Sequence, residues 1–253
     1  MTGLAVTGVG SLLHNLERFV PLSPHDKQAI AELASAPLIK VKARNDLARE
    51  GQVPQVVRLI VSGWASRYKD LPDGRRQVVG YFIPGDFCDL NVYIVQRLDH
   101  SIGALTPVTY LAVPPELLQQ IIQERPRFGQ ALLWHELVST SIMREWLLNI
   151  GQRSAYERIA HLFVEIYVRM RAIGQTLNQS CEFPLTQSDL AEAVGLTSVH
   201  VNRTLQDLRR EGLIELKQRR LTILDFDRLK QIAMFNSNYL HLHQDGRTLE
   251  AND

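Results

Sequence analysis

The stretch from Leu185 to Leu224 constrains this chain more than any other part of it. It reads LTQSDLAEAVGLTSVHVNRTLQDLRREGLIELKQRRLTIL, in which two short amphipathic segments flank a glycine and a basic hairpin pattern follows. Helix, tight turn, helix and hairpin in this order are typical of a winged helix-turn-helix, which places its second helix in the DNA major groove. The segment therefore predicts a DNA-reading module, and with it a transcription regulator.

Local signals in this stretch agree with one another. Thr186 and Asp189 have the spacing of a capping box, which starts the first helix. Gly195 allows the sharp turn, and Thr197 caps the second helix. The apolar residues expected to face inward are Leu190, Ala191, Val194, Val201, Leu205 and Leu208. The alternative, an ordinary helical pair with a solvated charged face, does not account for all of these signals in one register.

The opposite face of the second helix is expected to meet DNA. Arg203 can bond guanine O6 and N7, Asn202 can read adenine, and Val199 can touch a thymine methyl group. The N-termini of the two helices and the basic wing are suited to contacts with phosphates. The sequence assigns no role to His200, which lies beside this face. The predicted DNA-binding residues are Thr186, Gln187, Ser198, Val199, Asn202, Arg203, Gln206, Lys217 and Arg219.

Charge is concentrated locally rather than over the whole chain. The 253 residues carry a net charge of only +1, whereas a protein that coats DNA without specificity is usually more basic. The segment from Arg203 to Arg220 contains six basic and three acidic residues, and its net charge is therefore +3. This pattern indicates a small phosphate-facing patch on an otherwise neutral protein.

Upstream of this module, the segment from Leu38 to Val113 has a β pattern. Short runs rich in β-branched and aromatic residues alternate with turn signals such as PDG at Pro72–Gly74. The spacing predicts a sandwich or barrel. After Pro126 a long helix is expected to about Ile150, and its apolar residues cover more than one face. One face can pack on the β domain and the other on a second copy, although a core helix within one subunit is the alternative.

The predicted fold is α+β. It comprises an N-terminal β-barrel sensor domain of the jelly-roll or cupin-like kind (residues 1–126), a dimerisation helix (127–152), a winged helix-turn-helix domain (153–236) and a C-terminal tail (237–253). Two cysteines, Cys88 and Cys181, cannot build a disulfide framework. With no signal-peptide pattern at the start and no apolar run of about 18 residues, a cytoplasmic protein without a membrane partner is expected.

Both halves of the chain together resemble the Crp–Fnr superfamily of bacterial transcription regulators. GDFCDL at Gly85–Leu90 is similar to the family's turn in the sensor domain, and VGLTSVHVNRTLQDLRREGLI is similar to its recognition-helix segment. The resemblance covers nearly the whole chain. It implies a homodimer on a palindromic double-stranded DNA site with half-sites roughly 34 Å apart. It also implies RNA polymerase as a partner if the protein activates transcription.

The chain departs from this family at the effector residues. Leu90 stands where cyclic-AMP-binding members have a glutamate, and His100 stands where they have an arginine. Met143 and Arg144 replace the purine-contacting Thr–Ser pair of the long helix. The N-terminal cysteines of the iron–sulfur members are absent as well. Neither cyclic AMP nor an iron–sulfur cluster is therefore expected as a cofactor.

The effector of the sensor domain stays open. The candidate pocket residues are Cys88, Asp89, Asn91, His100, Ser101 and Arg144. The hypotheses are a small anion held by His100 and Arg144, redox sensing at Cys88, and a constitutive regulator whose pocket is filled by side chains. Cys88 is more readily interpreted as a buried small hydrophobe, because the adjacent Asp89 raises a thiol pKa.

Two other classes of protein are weighed against a regulator. A metal-dependent cupin enzyme needs paired histidines and a carboxylate within the barrel, and the only H-x-H pattern, His241 to His243, lies outside it. The chain is therefore not expected to be an enzyme. A regulatory subunit of a kinase or channel can use the same sensor fold, but it lacks a C-terminal winged helix-turn-helix.

Overall fold

The computed structural model describes residues 3–17, 19–90 and 95–242. The chain divides into two compact units. The N-terminal unit comprises Met1–Lys69, Gly80–Thr140 and His241–Asp253, and the C-terminal unit comprises Asp70–Val79 and Ser141–Leu240. No described helix combines the length and the apolar character that crossing a membrane would require.

Within the described residues, the first part of the chain forms two α-helices, a short 3-10 helix (Leu33–Ser35), seven strands and two further α-helices. In order these are α1 (Gly3–Leu16), α2 (Pro24–Glu32), β1 (Leu38–Val41), β2 (Asp46–Ala48), β3 (Val57–Ser62), β4 (Ala65–Asp70), β5 (Arg76–Phe82), β6 (Ser101–Ala104), β7 (Val108–Val113), α3 (Pro115–Glu124) and α4 (Pro126–Gln152). Helix α2 begins as its sequence indicates, since Ser23 and Asp26 form a capping box with Pro24 at the first helical position.

The strands form two sheets, in the orders β1-β7-β3 and β2-β6-β4-β5. Ile60 and Tyr110 of the first sheet share one apolar core with Ala65 and Ile102 of the second. The neighbours of Ile60 along β3 point to the opposite face, where Leu59 joins a second core with α1, α2 and α4. The predicted PDG turn joins β4 to β5, and its Gly74 has a φ of 85°.

Helix α1 lies against the turn at Gly85, the first residue of the GDFCDL segment. This glycine has a φ of 94°, and a Cβ placed on it would come within 2.9 Å of the Ser11 backbone. A side chain at this position is therefore opposed both by the backbone conformation and by the close approach of α1.

The rest of the chain is organised around a buried helix. Its elements are α5 (Ala155–Ala172), β8 (Thr176–Leu177), β9 (Ser180–Glu182), α6 (Gln187–Val194), α7 (Ser198–Arg210), β10 (Ile214–Lys217), β11 (Arg220–Ile223), α8 (Phe226–Ile232) and a short 3-10 helix (Ser237–Leu240). The four strands pair in the order β10-β11-β9-β8. Helix α5 packs against α6, α7 and α8.

Helix α4 is 27 residues long and has two apolar faces. Phe128, Ala131 and Leu132 are buried in the N-terminal unit. The other face leaves large apolar side chains in solvent, and Leu133 and Leu147 are 63% and 74% exposed. Single exposed leucines are ordinary, but a series of them along one helix indicates a surface that a partner covers.

Gly195 carries the turn between α6 and α7. Its φ of 64° and ψ of 41° are left-handed, and the nearest atom to an added Cβ would lie 3.8 Å away. Gly195→Ala should therefore destabilise the protein by about 1–2 kcal/mol through backbone conformation rather than steric conflict. Urea unfolding measures this. Gly151→Ala is the control, since this glycine lies in helix α4 with open space around it and alanine should stabilise by about 0.5–1 kcal/mol.

Candidate nucleic-acid interface

The two helices of the predicted DNA-reading module begin with side-chain caps. At α6, the Thr186 backbone N–H donates to Asp189 Oδ2 at 2.8 Å, and the Asp189 N–H donates to Thr186 Oγ1 at 3.2 Å. At α7, the His200 N–H donates to Thr197 Oγ1 at 3.3 Å. The caps satisfy N–H groups that would otherwise have no partner. The capping-box prediction for Thr186 and Asp189 is therefore confirmed.

The caps and the Gly195 turn orient the two helices so that a concave surface opens on one side. This surface encloses about 420 Å³ and is lined by six residues, which are Gln187, Ser198, Val199, Asn202, Arg203 and Gln206. All six belong to the predicted DNA-binding set. Val199 is 82% exposed, although an isolated apolar side chain gains nothing from water. A single exposed apolar side chain is ordinary on a protein surface, and this one lies beside the polar groups that line the same surface.

Two hydrogen bonds pre-arrange the polar groups on this surface. Asn202 Nδ2 donates to Gln187 Oε1 at 3.1 Å. Arg203 Nη2 lies 3.2 Å from His200 Nε2, a geometry in which the guanidinium donates to a neutral imidazole protonated at Nδ1. His200 thus holds Arg203 in place, a role that the sequence alone did not assign because it depends on one helical turn bringing the two side chains together.

Thr186 differs from the other predicted contacts. Its hydroxyl donates to Asp189 Oδ2 at 2.7 Å and accepts the Asp189 N–H, so its side chain is already engaged in capping. Thr186 is exposed at the N-terminal end of α6, where the helix dipole favours an anion. The position suits a phosphate through helix N–H groups rather than through the hydroxyl.

The wing is the hairpin of β10 and β11. Gln218 and Arg219 form its tip with φ values of 50° and 59°, a two-residue turn whose positive φ values match the twist of the strands. Lys217 is exposed and forms an ion pair with Glu215, while Arg220 is held by the Ser180 hydroxyl at 3.2 Å. Lys217, Arg219 and Arg220 are all exposed at this hairpin.

Arg158 bonds to the ends of the helices next to this surface, a role that no local sequence pattern predicted. Its guanidinium donates to Val194 O at the end of α6 (2.7 Å), to Ile150 O (2.8 Å) and to Arg153 O (3.0 Å). Burial lowers the pKa of this guanidinium. The last carbonyls of α4 and α6 have no intrahelical donors, so a single arginine satisfies both helix ends. Only the tertiary structure brings these carbonyls to one side chain.

The predicted effector residues fall into different environments. Cys88 is fully buried among apolar side chains, and burial, followed by the charge of Asp89, raises the pKa of its thiol well above the ordinary value. Asp89 forms an ion pair with Arg58 and accepts the Arg58 N–H at 2.9 Å. Burial raises the Asp89 pKa to about 6, against the opposing effect of Arg58.

His100 and Ser101 lie together at the start of β6. His100 Nδ1 is 2.6 Å from Asp99 Oδ1, and burial is the largest cause that lowers its pKa. The ring is therefore neutral, with Nδ1–H donating and Nε2 left as an acceptor. The Ser101 hydroxyl accepts the Glu50 N–H at 3.0 Å. Arg144 belongs to the C-terminal unit and donates to Ser141 Oγ at 2.7 Å, and Asn91 lies outside the described residues.

Two arginines in the core between the sheets were not predicted. Arg58 lies on β3 with its guanidinium 5.9 Å from the Tyr110 ring centroid. Arg67 lies on β4, 5.0 Å from the Phe82 ring, and donates to Cys88 O at 2.7 Å. The Nε–H groups of both have no acceptor among the described residues. A basic residue inside an otherwise apolar strand pattern, as in VVRLIV, was the available sequence signal.

These residues do not fit a cyclic nucleotide. Leu90 packs against the apolar core that includes α1 and β3, and its side chain cannot accept a bond from a ribose hydroxyl. His100 is neutral and offers a lone pair, with the carboxylate of Asp99 directly beside it. A phosphodiester anion needs donors and positive charge at that position.

Comparisons with protein families agree with both halves of the structure. Residues 157–232 match the Crp-like helix-turn-helix domain, and residues 38–125 match the cyclic nucleotide-binding domain. Among solved structures, FixK2 from Bradyrhizobium japonicum superposes with a TM-score of 0.71 at 21% identity, covering 78% of this chain and 96% of that one. This similarity establishes the fold.

Curated relatives have regulatory names. The transcriptional activator protein FnrL of Cereibacter sphaeroides is 31% identical over 210 residues, which cover 80% of this chain and 84% of that protein. The nitrogen fixation regulation protein FixK of Bradyrhizobium diazoefficiens is 30% identical over 174 residues, covering 69% and 72%. The names are those of transcription regulators and not of enzymes.

The raised pKa of Asp89 has a consequence for stability. Its folded pKa of about 6 exceeds the ordinary 3.8, so the folded state binds the proton more tightly and stability falls as pH rises from about 4 to 6. Relative to Asp89→Asn, the wild type should lose up to about 3 kcal/mol across this window. Urea unfolding at several pH values measures the difference.

Asp99→Asn is the control, because the pKa of this more exposed carboxyl is lowered by His100. The change in stability with pH that Asp99 contributes should therefore be weaker and opposite in sign. Equal slopes in wild type and Asp89→Asn would show that Asp89 is not held in this way.

Proposed function

Because the chain belongs to the Crp–Fnr family of transcription regulators, we propose that this DNA-binding regulator acts as a homodimer on a palindromic site. The observation that carries the proposal is the concave surface lined by Gln187, Ser198, Val199, Asn202, Arg203 and Gln206. Its donors, acceptors and exposed apolar group are the kinds of side chain that distinguish base pairs in the major groove. The exposed wing cations Lys217 and Arg219 supply contacts to phosphates.

The exposed face of α4 supports the homodimer. Leu133, Leu137, Thr140, Arg144 and Leu147 follow one another at spacings of four, three, four and three residues, which is the seam of a two-stranded coiled coil. The three leucines are among the exposed large apolar residues. A second copy packed along this seam would bury them, and two-fold dimers of helix-turn-helix proteins bind half-sites about one DNA turn apart.

We assign the sensor an effector that is neither cyclic AMP nor an iron–sulfur cluster. The unpaired Nε–H groups of Arg58 and Arg67 in the core between the sheets favour a ligand that offers acceptor atoms. We therefore place the effector beside Arg58 and Arg67 rather than beside His100 and Arg144, because a neutral His100 cannot attract an anion by charge. Cys88 and Cys181 are too few for the four thiolates that iron–sulfur clusters ordinarily use.

A constitutive regulator is the second candidate. Arg58 is neutralised by Asp89 and packs on Tyr110, while Arg67 packs on Phe82 and donates to Cys88 O. Side chains of the protein therefore already occupy part of the core in which an effector would bind. In either case the proposed compartment is the cytoplasm. RNA polymerase is the further partner if the protein activates transcription, whereas repression by promoter occupancy needs none.

Selection of bound fragments from random duplex DNA, with purified effector-free protein at about physiological salt, tests the proposal. An enriched palindrome with half-sites about 10 base pairs apart is the expected result, and sedimentation should give twice the chain mass. Enrichment of an asymmetric single site by a monomer would contradict the homodimer. Weak binding that depends only on salt would show that the effector-free form is inactive, and so would exclude the constitutive candidate.

Arg203→Ala should relax the preference at one guanine in each half-site, with a loss of about 1–3 kcal/mol in discrimination. Competition binding against operators substituted at that position measures it. Lys217→Ala is the matched control, because a phosphate contact should weaken binding equally across sequences and lower the salt slope by about one. An unchanged guanine preference in Arg203→Ala would remove the role assigned to this residue.

A further inference from the structure

The segment after α8 folds back onto α5. Phe235 N–H donates to Lys230 O at 3.1 Å, and the 3-10 helix that follows buries Leu240 to 3% exposure. Tyr239 of this helix reaches α5, where its ring is stacked on His161 at a centroid distance of 6.0 Å and an angle of 21°. Phe235 also contacts His161, at 5.3 Å. We call residues 233–240 the C-terminal clasp.

Glu165 is the centre of the contact between the clasp and α5. It is completely buried, and its carboxylate accepts the Tyr239 hydroxyl at 2.8 Å and the Trp146 indole N–H at 3.0 Å. Arg169 Nη1 lies 3.8 Å away, one helical turn along. Burial raises the pKa of Glu165. A fully buried carboxylate is costly to retain in a fold, and here it joins α4, α5 and the clasp at one point.

A second set of contacts lies beside the first. Arg153, between α4 and α5, donates to Glu145 Oε1 at 2.7 Å and to Ala233 O at the start of the clasp at 3.2 Å. His161 Nε2 lies 3.2 Å from the same Glu145 oxygen. Burial, with the charge of Arg153, lowers the pKa of His161 to about 3, so the ring is neutral. Both sets join the last turns of α4 to α5 directly, through Trp146–Glu165 and His161–Glu145. The clasp adds to each set a contact of its own, from Tyr239 and from Ala233 O.

This arrangement matters because only Arg153 and Ser154 separate α4 from α5. Helix α5 packs directly against α6 and α7, so the angle at this junction sets the direction of the recognition helix relative to the end of α4. In a homodimer, a small change of that angle moves both recognition helices relative to the two half-sites.

We propose that the C-terminal clasp fixes the α4–α5 junction at the angle that lets both recognition helices bind one palindrome, with Tyr239 and Glu165 as positioning residues. This inference rests on the proposed homodimer. Neither residue lies on the DNA-reading surface. The clasp acts on simultaneous binding of two half-sites and not on recognition within one half-site.

Tyr239→Phe tests the inference, since it removes the hydroxyl bonded to Glu165 and retains the ring on His161. Leaving the buried Glu165 oxygen without this donor should lower affinity for the palindrome about tenfold. Affinity for a single half-site should not change, and tolerance of altered half-site spacing should increase. Glu165→Gln, which keeps an acceptor for Tyr239 and Trp146, should bind both DNAs nearly as the wild type does.

Tyr68→Phe is the matched control, because it removes a similar hydroxyl bond, 2.7 Å to Asp46 Oδ1, in the N-terminal unit. It should leave spacing discrimination unchanged. Equal losses on palindrome and half-site in Tyr239→Phe, or no loss on either, would overturn the inference. The proposed homodimer is tested separately, with the wild type alone. Equal affinity of the wild type for the palindrome and for a single half-site would contradict the homodimer. Amide exchange without DNA is an independent measurement, and unchanged protection across residues 149–158 in Tyr239→Phe would also overturn the inference.

Discussion

The burial of helix α5 is the constraint on which the C-terminal unit depends. From Ile159 to Val168 its side chains are buried all round, including the ionisable His161 and Glu165, which are both 0% exposed. A helix buried on every side needs partners on every side. Helices α6 and α7 cover part of it, and α8 and the clasp cover another. The position of the DNA-reading surface is a consequence of this packing.

The core between the two sheets of the N-terminal unit also contains buried charged side chains. Arg58 and Asp89 are both buried there and neutralise each other, while Arg67 uses the Cys88 carbonyl and the Phe82 ring. Burial nevertheless raises the Asp89 pKa to about 6, so this pair retains part of its desolvation penalty. Shifted carboxyl pKa values of this kind occur in structural ion pairs as well as at functional sites.

The concave surface of α6 and α7, which we propose reads DNA, was accessible from the sequence because its signals are local. Capping pairs, the glycine in the turn and the helical spacing of Val201, Leu205 and Leu208 each depend on residues within a few positions of one another. The β-rich segment was predictable for the same reason, from its short runs of β-branched and aromatic residues and from its turn residues. The effector residues were harder to assign, because the contents of a core depend on contacts between strands far apart in sequence. Arg58 and Arg67 were therefore missed, and Arg144 was grouped with residues of the other unit.

The sequence by itself determined the type of module, the order of its elements and the face of α7 that stays exposed, since helical periodicity assigns each side chain to a face. Only the tertiary structure decided what holds that face in place. Arg158 joins carbonyls of α4 and α6. Glu165 joins Trp146 to Tyr239, two residues that lie 93 positions apart in the sequence. No local pattern encodes such contacts, because a buried polar group selects its partners from whatever the packed helices bring within hydrogen-bonding distance.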